Sequence, residues 1–219
     1  MKSIVIVRWN EPIDWTREIE YPIHVVQKGT KEIPNIGLEH YGYIYWIQNN
    51  YDELEGDYTF LQANPFDHIS KDDLDKHLKT DISTNGFLPC SKWITRTLNR
   101  NSFIKFDLPY GSDSRGYQTI LAYETIFNMR FPDKSVWFPN GQFSITAERL
   151  KRRDKFFYVK LLADMKELEG HFMERYITWR KQVGKKVEDS TYYYTASVGH
   201  AMERIEGYIF APDIAFEIH

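Results

Sequence analysis

The run Phe60-Leu61-Gln62-Ala63-Asn64-Pro65-Phe66-Asp67-His68 ends a short β-type stretch in a proline turn and brings Gln62, Asn64, Asp67 and His68 close together. Side chains of these types bind sugar hydroxyls, phosphates or metals, and the carboxyl end of a strand in an α/β sheet is where ligands collect. The same residues also suit a well-bonded turn with Asp67 capping the next element. A second group, Arg8-Trp9-Asn10-Glu11, comes directly after the first apolar run. There Trp9 can stack on a base, and Asn10 or Glu11 can hydrogen-bond a base or ribose; as plain structure, Asn10 caps a turn and Trp9 packs. Asn35 and Glu39 open a long helix, Asn35 as N-cap and Glu39 in the first turn, where an acid complements the macrodipole. Glu39 and Tyr43 share a helical face that could line a cleft. His200 and Glu203, three apart on a late helix, also share a face, where Glu203 can pair with Arg204 or serve as a base that His200 orients.

These groups need a scaffold. Ile4 to Val7 reads as a strand buried on both faces. Asp14 to Glu20 predicts a short helix, Ile23 to Val26 a second strand, Leu38 to Leu54 a helix and Tyr58 to Gln62 a third strand. The alternation predicts a single α/β domain over 1–219, a mostly parallel central sheet flanked by helices. Ser70 to Asp73 is a capping-box start for a helix to about Lys79. The irregular 81–140 region is expected to cover the sheet near the site, with a helix at Tyr117 to Asn128. Gln142 to Ile145 predicts another strand, and Thr146 caps the helix after it. Asp154 to Lys181 predicts a long helix interrupted at Gly170, Lys181 to Asp189 a solvated loop, and Ser197 to Phe210 a last helix.

Composition narrows the function classes. The chain has 219 residues and a net charge of −3, which argues against a general nucleic-acid binder. Its 14 Phe, 15 Tyr and 6 Trp suit a groove that stacks rings or sugar faces, or a core filled with bulky side chains. A single cysteine, Cys90, rules out an intramolecular disulfide and a cysteine zinc cluster and fits a reducing compartment. No stretch reads as a signal peptide or a membrane span, so a soluble cytoplasmic protein is expected.

Several segments, taken together, resemble a domain-of-unknown-function family whose members look like glycosyltransferases of the GT-A fold (nucleotide-diphospho-sugar transferase-like). They are Val5 to Glu11 with Asp14-Trp15, Asn35 to Glu39, Phe60 to Gln62 with Pro65 to His68, Gly141 to Leu150, and His200 to Arg204 with Tyr208 to Phe210. Two departures stand out. Glu206-Gly207 occupies the place where the family pattern has an aromatic residue, and 168–195 is longer than the usual connection. The resemblance implies a GT-A-like fold and transfer of a sugar from a nucleotide-sugar donor to a glycan or glycoconjugate acceptor, in polysaccharide biosynthesis. A non-catalytic module that binds carbohydrate or a partner is the alternative.

On that resemblance, Glu203 is the base and His200 its support, as in inverting enzymes that keep a carboxylate on a late helix. Trp9, Asn10, Glu11, Asn35, Glu39, Gln62, Asp67, His68, Gln142 and Arg149 are the substrate-binding candidates. GT-A enzymes often hold manganese or magnesium with an Asp-x-Asp motif, but here that place offers Asp67 and His68 alone, a thin site for a hard cation. The literal match Asp73-Leu74-Asp75 falls on a helix with its acids on different sides. Without a metal, a diphosphate needs cations, and Arg149, Lys151, Arg152, Arg153 and Arg115 are the candidates, or else a solvated charged face.

Overall fold

A computed structural model describes residues 1–97, 114–184, 186 and 197–217. Three strands come early: β1 (Lys2–Arg8), β2 (Ile23–Gln27) and β3 (Asp57–Gln62). Strand β1 pairs in parallel with both of the others, Ile4 standing opposite Ile23 on one side and Thr59 on the other. Two later strands, β4 (Phe87–Pro89) and β7 (Phe143–Thr146), complete a five-stranded sheet in the order β2-β1-β3-β7-β4. Strand β7 runs antiparallel to β3, with Phe60 opposite Phe143, and β4 runs antiparallel to β7. The sheet is therefore mixed, where the sequence predicts a mostly parallel one. The reversal is set at the turn Pro139–Gly141, which delivers the chain beside the carboxyl end of β3, so that β7 must run back along it. Strands β5 (Ile94–Thr97) and β6 (Lys134–Trp137) form a separate antiparallel ribbon.

Alternation along the strands gives the sheet two unlike faces. Val5, Val7, Tyr58, Phe60, Phe143 and Ile145 join the larger core, with Phe60 stacked on Phe143 at 5.2 Å between ring centroids. Ile4, Ile6, Leu61 and Ala63 join the smaller one. Each fully buried large side chain among them contributes roughly 1.5–3 kcal/mol of transfer free energy. On the larger face lies helix α1 (His40–Asn50), buried on almost every side, and Gly42 lets it approach β1 so closely that a Cβ there would stand 2.6 Å from a Val7 methyl. The other face is covered by α2 (Lys71–Lys79) and by the connection from β1 to β2, which supplies Ile13, Trp15, Ile19 and Tyr21. Ser70 caps α2 through the Asp73 N–H at 3.1 Å, as its capping-box pattern predicts.

Helix α3 (Ser114–Phe127) and the short α4 (Ala147–Leu150) precede α5 (Lys155–Gln182), and α6 (Val198–Phe210) leads into α7 (Pro212–Glu217). Asp154 caps α5 and Thr146 caps α4. Helix α5 continues through Gly170 without the predicted interruption, because that glycine faces open space and nothing wedges the turn apart. The predicted 168–195 insertion is helix as far as Gln182; beyond it, 185 and 187–196, with most of the expected solvated loop, lie outside the described residues. Asp14–Glu18 is a 3-10 turn and not an α-helix. Helix α1 starts at His40, two residues later than predicted, because Gly37 and Leu38 both have positive φ (62° and 52°) and cannot continue a right-handed helix. Leu54, the predicted end, lies beyond a 3-10 turn at Tyr51–Glu53. No helix among the described residues is long and apolar enough to cross a membrane.

Candidate functional site

Strand order fixes where a ligand site would form. From β1 the chain moves to β2 on one side and then returns to β3 on the other, so the connections diverge between β1 and β3. In open α/β sheets the crevice outside the carboxyl ends of such strands receives ligands. Arg8-Trp9 and Gln62-Ala63 stand at those ends, and antiparallel β7 begins there, preceded by Gln142.

The loop after β1 braces itself. The Glu11 carboxylate accepts the N–H groups of Trp9 at 2.6 Å and Asn10 at 3.1 Å, while the Gln27 amide donates to the Trp9 carbonyl. Burial pushes the Glu11 pKa upward, but these backbone donors and Lys28 together hold it below the ordinary value. Glu11 is thus spent on its own backbone. The Trp9 indole, half exposed beside Gly29, remains open to a planar ligand. Lys28 donates to the Leu38 carbonyl at 2.9 Å; burial lowers its pKa against the pull of Glu39 and Glu11.

At the start of α1 the site turns acidic. His40 is sealed from solvent and its Nδ1 bonds Oε1 of Glu206, itself 1% exposed and 166 residues away in sequence. Its Nε2 lies 3.8 Å from Glu39. Burial opposes charge on His40, yet Glu206, Glu39 and Glu203 outweigh it and raise the imidazole pKa to about 9. Burial likewise raises Glu206, to about 7, against the pull of His40. Tyr43 meets the His40 ring edge-on at 6.1 Å. Its hydroxyl is pushed well above its ordinary pKa by burial and by Glu39 and Glu206. Glu203, one turn before Glu206 on α6, accepts the Asn140 N–H at 3.3 Å.

Several polar atoms here are buried without a partner among the described residues: the Tyr43 hydroxyl, Nε2 of Gln62, both amide atoms of Gln142 and Oε2 of Glu206. Unsatisfied buried polar groups cost roughly 1–3 kcal/mol each and call for a water, ion or ligand.

Of the residues singled out by sequence, Trp9, Asn10, Glu11, Gln62 and Gln142 stand at this end of the sheet, and Glu39 and Glu203 join His40. His200 shares α6 with Glu203, and its carbonyl accepts from Arg204 at 2.5 Å. Asn35 is half-buried in the loop before Gly37 and does not cap α1, whose N-cap position is Glu39. Asp67 and His68 are exposed on the turn after β3, where Phe66 packs edge-on against Trp15 on the smaller-core side. No three His, Cys, Asp or Glu side chains converge into a metal-binding group among the described residues, so Asp67 and His68 gain no further ligand and the residues present do not fit magnesium or manganese.

Arg149 is set apart. It follows β7, whose carboxyl end lies beside the amino end of β3, and its guanidinium bonds Asp213 and the Asn85 carbonyl. Lys151 donates to the Leu54 carbonyl, Arg152 to Asp213 and Arg153 to the Tyr208 carbonyl, so that cluster is structural. The Arg115 side chain lies outside the described residues.

Sequence reasoning missed His40 and Glu206. One signal was present: a lone glutamate inside the apolar run Ile205 to Phe210 must be buried, and a buried carboxylate requires a partner. A second buried polar chain, His77 Nε2 to Ser144 Oγ at 2.9 Å and Ser144 to Thr59 at 2.7 Å, is a serine–histidine contact with Ser144 fully enclosed, so it serves the core and offers no nucleophile to a substrate. In comparison with known proteins, no family model, no curated sequence and no solved structure matches this chain.

Proposed function

We propose that the chain is a cytoplasmic glycosyltransferase of GT-A-like architecture that moves a sugar from a nucleotide-sugar donor to a glycan or glycoconjugate acceptor. The observation that carries this reading is the acid-rich polar cluster of Glu39, His40, Tyr43, Glu203 and Glu206 at the carboxyl ends of β1 and β3. Glu39 and Glu203, the half-buried members of the cluster, can hold sugar hydroxyls, and Trp9 offers a ring face for the base. In the inverting form of the reaction, Glu203 takes the acceptor hydroxyl proton as that oxygen bonds the anomeric carbon. The bond to the diphosphate breaks and the departing nucleotide keeps the electron pair. His200 supports Glu203 from the same helix.

A second reading, a non-catalytic module that binds carbohydrate, is favoured by one specific observation. Arg149 is committed at the far end of the sheet, and Lys28, near Glu39 and Glu11, is a poor match for two phosphates. Thermal-shift measurements with UDP-, GDP- and dTDP-sugars, with and without manganese, separate the two. A micromolar donor at millimolar concentration stabilises by about 4 kcal/mol, a readily visible rise in Tm. No rise with any nucleotide, together with stabilisation by a free glycan, would favour the module.

A further inference from the structure

The turn Pro139–Gly141 is held from two directions, by α6 at Asn140 and by α1 at Gly141. Asn140, at φ 77°, donates its N–H to Glu203. Gly141, at φ 56°, lies against the His40 ring so closely that any side chain there would run into the imidazole. His40 in turn is bonded to Glu206, three residues after Glu203 and on the same face of α6. This turn leads straight into Gln142, whose amide is 1% exposed and has neither its donors nor its acceptor used among the described residues. An amide with both capacities open complements a hydroxyl, which also donates and accepts.

We propose that His40 and Glu206 are a positioning pair: with Glu203 they clamp the Pro139–Gly141 turn and so set the Glu203 carboxylate and the Gln142 amide for a hydroxyl group of the ligand. The ligand part rests on the transferase reading above; the clamp does not. Glu206 is, on this account, what makes the clamp, since an apolar residue there would leave a buried imidazole without its carboxylate. Gly207 completes the arrangement by admitting Trp93, which a Cβ would approach within 2.8 Å. The groups facing His40 are Glu39 from the segment before α1, Tyr43 from α1, and Glu203 and Glu206 from α6; Cys90, after β4, acts on Tyr43. The turn itself contributes no titratable side chain.

The test is an NMR titration of the full chain, following the His40 ring nitrogens, the Asn140 amide and the Gln142 side-chain NH₂. His40 should stay doubly protonated beyond pH 8, and the Asn140 and Gln142 signals should move with its midpoint. In Glu206→Gln the His40 midpoint should fall and both amide signals should shift with circular dichroism unchanged, whereas Glu203→Gln should move Asn140 and lower the His40 midpoint by less. A wild-type His40 midpoint near 6.5, or amide signals indifferent to it, would overturn the clamp, and the wild-type titration decides this even if Glu206→Gln fails to fold. UDP-glucose binding should weaken at least tenfold in Glu206→Gln. If wild type binds no nucleotide-sugar at all, the transferase reading fails while the titration still decides the clamp.

Discussion

Arg149 and Asp213 form a forked ion pair, Nη1 to Oδ1 at 2.5 Å and Nη2 to Oδ2 at 2.9 Å, which pins α7 to the end of the sheet opposite Trp9. The guanidinium is buried and the carboxylate half exposed. Arg149→Leu strands the carbonyl of Asn85 and should cost about 2–4 kcal/mol. Asp213→Asn, on the exposed side, should cost about 1 kcal/mol or less. The Arg149 hydrogen bond holds the Asp213 pKa at about 2, so its contribution is present above the ordinary carboxylate range and lost as pH falls through about 2. Urea midpoints measure both variants, and neither should alter ligand binding.

Two buried histidines pull the pH dependence of stability in opposite directions. His40 and Glu206 both have raised pKa values, about 9 and about 7, so the native state binds protons that the unfolded chain has released. Their contribution is full below the unfolded glutamate value of 4.5 and is lost as pH climbs through about 7 and then about 9. Burial lowers His77 to about 4, with Lys2 adding to it, so its contribution is present above 6.5 and lost as pH falls through about 4. Melting temperature against pH should therefore decline on the alkaline side in wild type. It should decline less in the His40→Gln, Glu206→Gln double variant, while His77→Gln should flatten the acid side only.

Helix α1 is seated on β1 by the missing side chain of Gly42. Gly42→Ala forces a methyl to within 2.6 Å of Val7 and should destabilise by roughly 1–3 kcal/mol despite the better helix propensity of alanine. Val7→Ala in the same chain should recover part of that loss. A double-mutant cycle from denaturant melts gives the coupling, and additive effects would mean the two positions do not touch.

Glu203→Gln keeps the shape of the side chain and its contact with Asn140 while removing the charge. Transfer should fall ~10²–10⁴-fold with nucleotide-sugar affinity nearly intact. Equal loss of both would show a structural role, and unchanged transfer would pass the role to Glu39. Asp67→Ala, on an exposed turn, should change stability by less than about 0.5 kcal/mol. Donor binding should weaken in that variant, and with no further ligand beside Asp67 among the described residues a chelator should leave wild-type binding unchanged.

The early strands, the capping boxes and the alternation of elements were legible in the sequence because they depend on near neighbours. Val5-Ile6-Val7 has one stable use, and Ser70 reaches Asp73 within a single turn. The same holds for the loop candidates: Trp9, Asn10 and Glu11 come directly after a strand, so their end of the sheet is fixed by chain continuity. Elements that depend on distant partners could be decided only by the tertiary structure. The direction of β7 came from where the chain re-entered beside β3. Arg149 read as a free cation because its partner lies 64 residues away. His40 drew no reading from the sequence, and Glu206 stood only as a break in a pattern, because the bond that joins them spans 166 residues. Local sequence dictates backbone preference and amphipathic period, whereas the pairing of buried charges is imposed by desolvation, which no residue experiences until the fold has closed around it.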